Sequence, residues 1–353
     1  MGIYELHKQQ TIEIFAMNIL ITGGAGYIGS HTCLELLNAG FNVVVLDNFS
    51  NSKMESLKRV EMLTGRSVKF KLGDVRDKDC LRALFQQYEI NAVIHFAGYK
   101  AVGESVKSPL SYYDNNVSGS IVLAEVMAEF GIKRIVFSSS ATVYAAPGNT
   151  QIREDYPLGP INPYGRSKLM VENIYRDLSL SDPEWKITIL RYFNPVGAHE
   201  SGMIGEDPNG IPNNLMPYIS QVAVGRLTEL SVFGSDYPTP DGTGVRDYIH
   251  VVDLALGHLA ALRALDAHSG LMTINLGTGK GCSVLELIRT FESVSGQTIP
   301  YHITQRRPGD VATCYADPNL AQVELGWQAQ LDVAAMCRDT WNWQSKNPHG
   351  YQA

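Results

Sequence analysis

Ile19-Leu20-Ile21-Thr22-Gly23-Gly24-Ala25-Gly26-Tyr27-Ile28-Gly29 reads as a strand that runs into a glycine turn and leaves it as a helix. Cys33, Leu36 and Leu37 recur at helical spacing until Gly40 stops the helix. The glycines fit Gly-x-x-Gly-x-x-Gly at 23, 26 and 29, the dinucleotide fingerprint with its first spacing shifted. The physical need is the same: a tight turn, close backbone approach to a pyrophosphate, and a helix N-terminus aimed at its charge. A turn of this kind can also simply join a strand to a helix. Its context strengthens the first reading, because the next strand, 42–46, ends in Asp47, eighteen residues beyond Gly29. An acid there can accept hydrogen bonds from the adenosine ribose hydroxyls and repel a 2′-phosphate, which favours NAD over NADP. The competing reading of Asp47 is a capping residue in a βα loop.

Working outward, further strands are expected at 68–72, 92–96, 134–137 and 187–190, with helical patterns between them such as Val117, Ile121, Ala124 and Ala128. Strands alternating with helices imply an α/β fold, a Rossmann-like doubly wound parallel sheet. Ligands of such sheets sit at the carboxyl ends of the strands. The polar or glycine-rich stretches fall there: Gly73-Asp74-Val75, Ala97-Gly98-Tyr99-Lys100 and Ser138-Ser139-Ser140. Asp74 could accept from an adenine amino group, and Ala97 and Gly98 leave room for the cofactor's backbone. Beyond about Asn194 the chain becomes irregular, with Gly, Pro and Asn concentrated in 202–214 and 237–244 and helical stretches around 215–226, 251–265 and 283–295. This gives an expected division into an N-terminal extension (1–16), an NAD-binding Rossmann domain (17–193) and a smaller, irregular α/β substrate lobe (194–353) that closes over it, with an approximate boundary across which elements can interleave.

The bulk properties exclude several classes. A net charge of −7 over 353 residues argues against a nucleic-acid or anionic-membrane surface as the main partner. Five scattered cysteines, never in Cys-x-x-Cys, suit a reducing compartment better than a disulfide framework or a zinc site. No apolar run approaches a membrane span, and residues 1–16 lack the apolar core of a signal peptide. The expected location is cytoplasmic.

The chemistry centres on Asn162-Pro163-Tyr164-Gly165-Arg166-Ser167-Lys168. Asn162 can cap a helix, Pro163 suits its first turn, and Tyr164 and Lys168 then share one face. Alone, the pair reads first as a surface Tyr and a solvated Lys. Beside an NAD sheet, and with Ser138-Ser139-Ser140 at a strand end, Ser, Tyr and Lys can take a proton from an alcohol whose carbon loses hydride. Bringing a phenol from a pKa of about 10 to near 7 takes about 4 kcal/mol. A unit positive charge ~6 Å away contributes roughly 2.8 kcal/mol at an effective dielectric of ~20. Lys168 and an oxidised nicotinamide together can therefore supply the shift, and neither alone does.

The ordered set Thr22-Gly-Gly-Ala-Gly-Tyr-Ile-Gly-Ser-His31, His95-Phe-Ala-Gly98, Ser138-Ser-Ser140 and Tyr164-x-x-x-Lys168 resembles the extended short-chain dehydrogenase/reductase family. Within it the chain is similar to the UDP-glucose (UDP-galactose) 4-epimerases. The likeness runs through Lys100-Ala-Val-Gly-Glu-Ser105, Tyr112-Tyr-Asp-Asn-Asn116, Arg191-Tyr-Phe-Asn-Pro-Val-Gly-Ala-His199, Gly210-Ile-Pro-Asn-Asn-Leu-Met-Pro-Tyr218 and Asp241-Gly-Thr-Gly-Val-Arg-Asp-Tyr-Ile-His250. The resemblance implies that Tyr164 deprotonates a sugar 4-hydroxyl, that Ser140 hydrogen-bonds the same oxygen, and that hydride passes transiently to tightly held NAD. The 4-keto sugar turns over while its UDP end stays anchored, and takes the hydride back on its other face. By the same resemblance Tyr27, Ile28, Asn48, Asn51, Ser52, Val75, Phe96, Lys100, Asn115, Ser138, Tyr192, Phe193 and Pro195 border the cofactor. Asn194, Asn214, Leu215, Ser231, Val232, Phe233, Arg246, Tyr248, Arg307, Asp310 and Cys314 border the UDP-sugar, with Lys100 shared. Two arginines suit a diphosphate, and either one alone reads equally as a member of a surface ion pair. A homodimer through helices near 105–130 and 163–178 is a further implication.

The chain departs from the family pattern in the extension 1–16, in Ala145-Ala146 after Val143-Tyr144, where the family usually has Gly, and at Cys314. Some epimerases carry a bulky Tyr at this last position, which restricts them to glucose and galactose. A small Cys resembles members that also accept N-acetylated sugars; the alternative is that Cys314 only packs. Rival functions are a 4,6-dehydratase or decarboxylase, a net-redox dehydrogenase, or a non-catalytic NAD sensor. A dehydratase generally needs an Asp-Glu pair just after the active-site hydroxyl, and Ser140 is followed by Ala141-Thr142-Val143.

Overall fold

The computed structural model describes residues 17–145, 150–209, 212, 214–307 and 310–352. The extension 1–16, Ala146, and Gly210, Ile211 and Asn213 of the loop segment lie outside these described residues. The first half runs β1 (Asn18–Thr22), α1 (Tyr27–Asn38), β2 (Asn42–Asp47), α2 (Met54–Thr64), β3 (Lys69–Leu72), α3 (Lys78–Gln87) and β4 (Ile90–His95). Next come α4 (Val102–Lys107), α5 (Pro109–Tyr112), a π turn (Tyr113–Ser118), α6 (Gly119–Glu129), β5 (Arg134–Ser140), α7 (Pro163–Ser181) and β6 (Lys186–Tyr192). The second half holds β7 (Asn194–Val196), α8 (Leu215–Ala223), β8 (Leu230–Phe233), β9 (Val245–His250), α9 (Val251–Ala264), β10 (Leu271–Leu276) and β11 (Gly281–Ser283). It ends with α10 (Val284–Ser295), β12 (Tyr301–Thr304), β13 (Thr313–Cys314), α11 (Asn319–Leu325) and α12 (Val333–Lys346).

The main sheet is parallel, in the order β10-β6-β5-β4-β1-β2-β3. Ile19, Leu20 and Ile21 of β1 are fully buried, as are Ile135 and Val136 of β5. Such unbroken apolar runs are what a strand needs when helices cover both faces of its sheet. The order reverses between β1 and β4, so a crevice opens at their carboxyl ends, next to the glycine turn. The chain returns to this sheet after residue 194: β10 adds the edge strand beside β6, and α9 packs against α1. The rest of the second half builds smaller units, with β9 pairing β7, β11 and β13, and β8 pairing β12.

The serines end their strand as expected, and one helical face differs from the expected one. Ser138, Ser139 and Ser140 lie within β5, in register with Leu190, Arg191 and Tyr192 of β6. Strand alternation therefore sends Ser138 and Ser140 to one face and Ser139 to the other. In the helical stretch after Val117, the buried face is carried by Ser120, Leu123, Ala124 and Met127, while Ile121 is 38% exposed. Among the described residues no helix is long and apolar enough to cross a membrane.

Three core histidines are held neutral. Burial lowers the pKa of His31 and His95 to about 3 and that of His258 to about 4. An unfolded histidine takes up its proton near pH 6.5, whereas these three in the folded chain do not, so unfolding gains protons below that pH and stability falls on acidification. Each contributes about 1.4 kcal/mol per pH unit below 6.5. The urea midpoint is expected to drop clearly between pH 7 and pH 5.5. An unchanged midpoint would show that these rings are not buried neutral.

Candidate active site

Asn162 has the extended backbone of an N-cap and its side chain accepts from Gly165 N at 2.9 Å, with Pro163 in the first turn of α7. This start places Tyr164 and Lys168 one turn apart, both buried against the end of β5. Lys168 Nζ donates to the Ser138 carbonyl at 2.8 Å and lies 4.9 Å from the Phe137 ring centre. Gly98 lies beside it: an added Cβ would be in ordinary contact with that ammonium at 3.5 Å and tighter, at 3.3 Å, against Asn116 Oδ1. Burial lowers the Lys168 pKa to about 8, and the Glu172 carboxylate one turn on pulls it back upward. For Tyr164, burial raises the phenol pKa and a hydrogen bond with Ser140 works the other way. The protonated phenol is thus the resting form in this site.

Ser140 Oγ accepts from Thr142 N at 3.2 Å and from Thr142 Oγ1 at 2.9 Å. Those two bonds occupy its lone pairs, which leaves its own O–H to point at Tyr164 or at a substrate oxygen. Ser138 Oγ bonds the Tyr192 hydroxyl. On the other face of β5, Ser139 Oγ donates to Glu172 Oε1 at 2.5 Å, and Glu172 also receives Arg191 and Arg176.

The glycine turn fits a dinucleotide diphosphate. Gly23 has φ +72°, and a Cβ there would lie 2.8 Å from Ala97 N. At Gly29 a Cβ would meet Gly23 O at 2.3 Å, so the helix can approach the turn only without one. Gly26 caps α1 with no side-chain bond, so the N–H groups of Tyr27 and Ile28 open a helix N-terminus of the kind that binds anions. Tyr27 pins this end from outside, donating to Gly197 O at 2.6 Å. Asp47 Oδ2 accepts from Ala25 N at 3.0 Å, and Oδ1 from Phe49 N at 2.9 Å and Ser52 Oγ at 2.8 Å. The acid read as a ribose ligand therefore also ties the glycine turn to β2.

On the opposite wall, Arg246 Nη2 and Arg307 Nε each lie 3.2 Å from an Asp310 oxygen, and Arg307 covers the Phe233 ring at 4.6 Å. The two arginines expected for a diphosphate share one carboxylate, so the cluster carries one net positive charge. Cys314 pairs with Arg246 in the β13–β9 register, and burial pushes its thiol up to about 11.

One cavity of about 1730 Å³ unites these groups. Of the residues expected to meet the cofactor or carry the chemistry, Gly23, Gly26, Tyr27, Ile28, Gly29, Asp47, Asn48, Asn51, Ser52, Val75, Phe96, Ala97, Gly98, Lys100, Asn115, Ser138, Ser140, Tyr164, Lys168, Tyr192, Phe193 and Pro195 line it. So do those expected to meet the UDP-sugar, Asn194, Asn214, Leu215, Ser231, Val232, Phe233, Arg246, Tyr248, Arg307, Asp310 and Cys314. This exceeds the roughly 300–1,000 Å³ of a single-ligand pocket and suits two ligands end to end. Asp74 is not on the lining; Arg76 pairs with it at 2.7 Å and holds its carboxyl well below the usual range. Thr142, Asn116 and Glu172 were missed from sequence. Asn116 secures the Tyr99 backbone at 2.7 and 3.0 Å and Ser167 at 3.0 Å. The one usable signal was Glu172, a third residue at four-residue spacing after Tyr164 and Lys168.

A family model described as GDP-mannose 4,6 dehydratase matches residues 20–340. The UDP-glucose 4-epimerase of Bacillus subtilis (strain 168) is 60% identical over 337 residues, which cover 96% of this chain and 99% of that protein. The UDP-glucose 4-epimerase of Bifidobacterium longum, solved with NAD+ and UDP, superposes with a TM-score of 0.92 at 55% identity, covering 95% of this chain and 100% of that one. That of Stenotrophomonas maltophila, with bound NAD and formylated UDP-arabinopyranose, has a TM-score of 0.92 at 52% identity, covering 94% and 99%. A Ser-Tyr-Lys site over a dinucleotide turn, carried on a chain this similar over its whole matched length, places the protein in a known group: it belongs to the UDP-glucose 4-epimerase family of extended short-chain dehydrogenases/reductases.

Proposed function

We propose that this enzyme interconverts UDP-glucose and UDP-galactose through a 4-keto sugar, with NAD as its cofactor. The observation that carries the reading is that one cavity is lined by Ser140, Tyr164 and Lys168, by the glycine turn and by the Arg246–Asp310–Arg307 cluster. NAD bound at Gly23, Gly26, Gly29 and Asp47 supplies the acceptor and donor of hydride. Tyr164 takes the proton of the 4-hydroxyl and later returns it, while the Ser140 O–H orients the same oxygen. The ammonium of Lys168 favours the phenolate when the proton leaves. Arg246 and Arg307 hold the diphosphate, exchanging part of their hold on Asp310 for phosphate oxygens. The sugar can then present either face without the UDP end leaving.

The dehydratase named by the family model is not favoured, because Ala141 and Thr142 follow Ser140 and neither can act as an acid. Incubation of purified protein with UDP-galactose, with and without added NAD, tests the reading. Absence of UDP-glucose in both would sink it, and NADH accumulating with substrate would instead indicate a net-redox dehydrogenase.

The reading extends to UDP-N-acetylhexosamines. Support comes from Cys314, which lines the substrate end with a small side chain. Cys314→Tyr is expected to reduce conversion of UDP-N-acetylgalactosamine at least about tenfold, a loss of roughly 1.4 kcal/mol, while conversion of UDP-galactose stays near wild type. Equal effects on both substrates would mean that Cys314 only packs. A homodimer is proposed as well. It is supported by exposed apolar residues on the expected helices: Val106 at 63%, Leu110 at 80%, Ile121 at 38% and Met170 at 44%. Sedimentation of the protein and of Leu110→Glu decides it. The five cysteines are unpaired, which supports a cytoplasmic location.

A further inference from the structure

The lining of the cavity includes a carboxylate, Glu206, that the proposed reaction does not use. Glu206 follows Gly205, whose lack of a side chain lets the backbone lie against Trp343; a Cβ there would sit 2.4 Å from the indole. Trp343 Nε1 donates to Glu206 O at 3.3 Å, and Tyr351 OH receives Gly205 N at 3.1 Å. On the other flank Asp207 is held by Lys53 Nζ at 2.7 Å and by Tyr351 N at 2.8 Å, and Asn209 N donates to Asn51 Oδ1 at 2.9 Å. With its backbone fixed on both sides, Glu206 has its direction set, and its side chain is only 10% exposed.

One oxygen, Oε1, then accepts from two donors of different origin. Lys100 Nζ, from the segment after β4, approaches to 3.1 Å. Asn214 Nδ2, from the residue that starts α8, also approaches to 3.1 Å. Both donors line the cavity. Asn at an N-cap ordinarily turns its side chain back onto its own helix, yet Asn214 makes no such cap bond. Glu206 competes successfully for it. The same carboxylate adds to the rise in the Tyr27 phenol pKa that burial begins.

We propose that Glu206 is a positioning residue that aligns the two halves of the site by holding Lys100 and Asn214 on one carboxylate oxygen. The proposal rests on the epimerase reading. Its physical content is that, among the described residues, Glu206 is the hydrogen-bond partner that turns each donor to the cavity. Lys100 without an anion samples many rotamers, and Asn214 without an acceptor can fall back to cap α8. Loss of Glu206 should therefore weaken binding of the UDP-sugar and leave proton transfer at Ser140, Tyr164 and Lys168 nearly untouched.

The test uses the NAD-loaded enzyme with UDP as the calorimetric probe and UDP-galactose as substrate. Glu206→Ala is expected to raise the Kd for UDP and the KM for UDP-galactose about tenfold, with kcat within about threefold of wild type. Glu206→Gln keeps an acceptor for Asn214 but loses the charge that holds Lys100, so its Kd and KM should fall between the two. A stably folded Glu206→Ala with UDP affinity within about twofold of wild type overturns the proposal. So does a fall in kcat as large as the rise in KM. If Glu206→Ala does not fold, Glu206→Gln decides by the same measurements: a rise of about threefold or more in the UDP Kd supports the role, and no change overturns it. Failure of the wild type to convert UDP-galactose would sink the epimerase reading, and UDP binding to the variants would still judge Glu206 separately.

Discussion

Tyr164→Phe is expected to cut turnover of UDP-galactose by about 10³-fold and to leave UDP affinity within about twofold of wild type. The ring is buried at 9% exposure and phenylalanine fills the same volume, so no cavity opens and the fold should hold. Of Ser140, Tyr164 and Lys168, what disappears is the acid–base group left free for proton transfer. Ser140 is occupied by two bonds from Thr142, and Lys168 donates to the Ser138 carbonyl. Neither can take over proton abstraction without breaking an interaction that positions it. Burial alone pushes the Tyr164 phenol away from the basic form. The Ser140 hydrogen bond works the other way, and positive charge from Lys168 and the oxidised cofactor would add to it, so the base is expected in the loaded site. Steady-state kinetics paired with UDP calorimetry checks this. Near-normal turnover would remove Tyr164 from its role, and a lost affinity would assign it to binding instead.

The parts of this architecture written locally were legible in the sequence. A glycine turn leaves a spacing, an Asn-Pro start leaves a cap, and a parallel strand leaves an apolar run. Each of these is a short-range consequence of backbone geometry. What was not legible depends on which distant segments meet. The strand β10 has the same apolar look as a strand of a separate lobe, and only its pairing with β6 assigns it to the first sheet. Asp47 had the right position for a ribose, but nothing local shows that its oxygens are partly taken by Ala25, Phe49 and Ser52. Asp74 sits at a strand end like its neighbours, and Arg76, two residues on, decides where its carboxylate points. Asp310 was read as a ligand contact, and the structure shows it first as the bridge between two arginines. Spacing identifies which residues share a face; it does not say which partners already satisfy them.

The same limit explains why Glu172 escaped notice, although it carries the largest expected effect on stability. Its side chain is completely buried, and both oxygens are engaged: Oε1 by Ser139 Oγ at 2.5 Å and Arg191 Nε at 2.9 Å, Oε2 by Arg191 Nη2 at 2.6 Å and Arg176 Nη2 at 2.9 Å. Burial by itself raises the carboxyl pKa, and these bonds outweigh it and keep the group ionised. Through them one residue of α7 ties down the ends of β5 and β6, the strands that present Ser138, Ser140 and Tyr192 to the cavity. Glu172→Gln leaves the Arg191 guanidinium buried, at 2% side-chain exposure, without its counter-charge. The expected cost is about 3–5 kcal/mol, read as a lowered urea midpoint. The double variant Glu172→Gln/Arg191→Met removes the stranded charge and should regain most of that loss, because an apolar side chain can occupy such a site nearly as well as a buried ion pair. A single variant as stable as wild type, or a double variant no better than the single, would mean that the pair does not hold these strands. The single variant also has a kinetic signature. The negative charge of Glu172 supports the ammonium of Lys168, whose pKa burial has already lowered to about 8. Without that charge Lys168 loses its proton at lower pH, so the alkaline limb of kcat/KM should move downward from about 8, a shift that loss of stability alone would not produce.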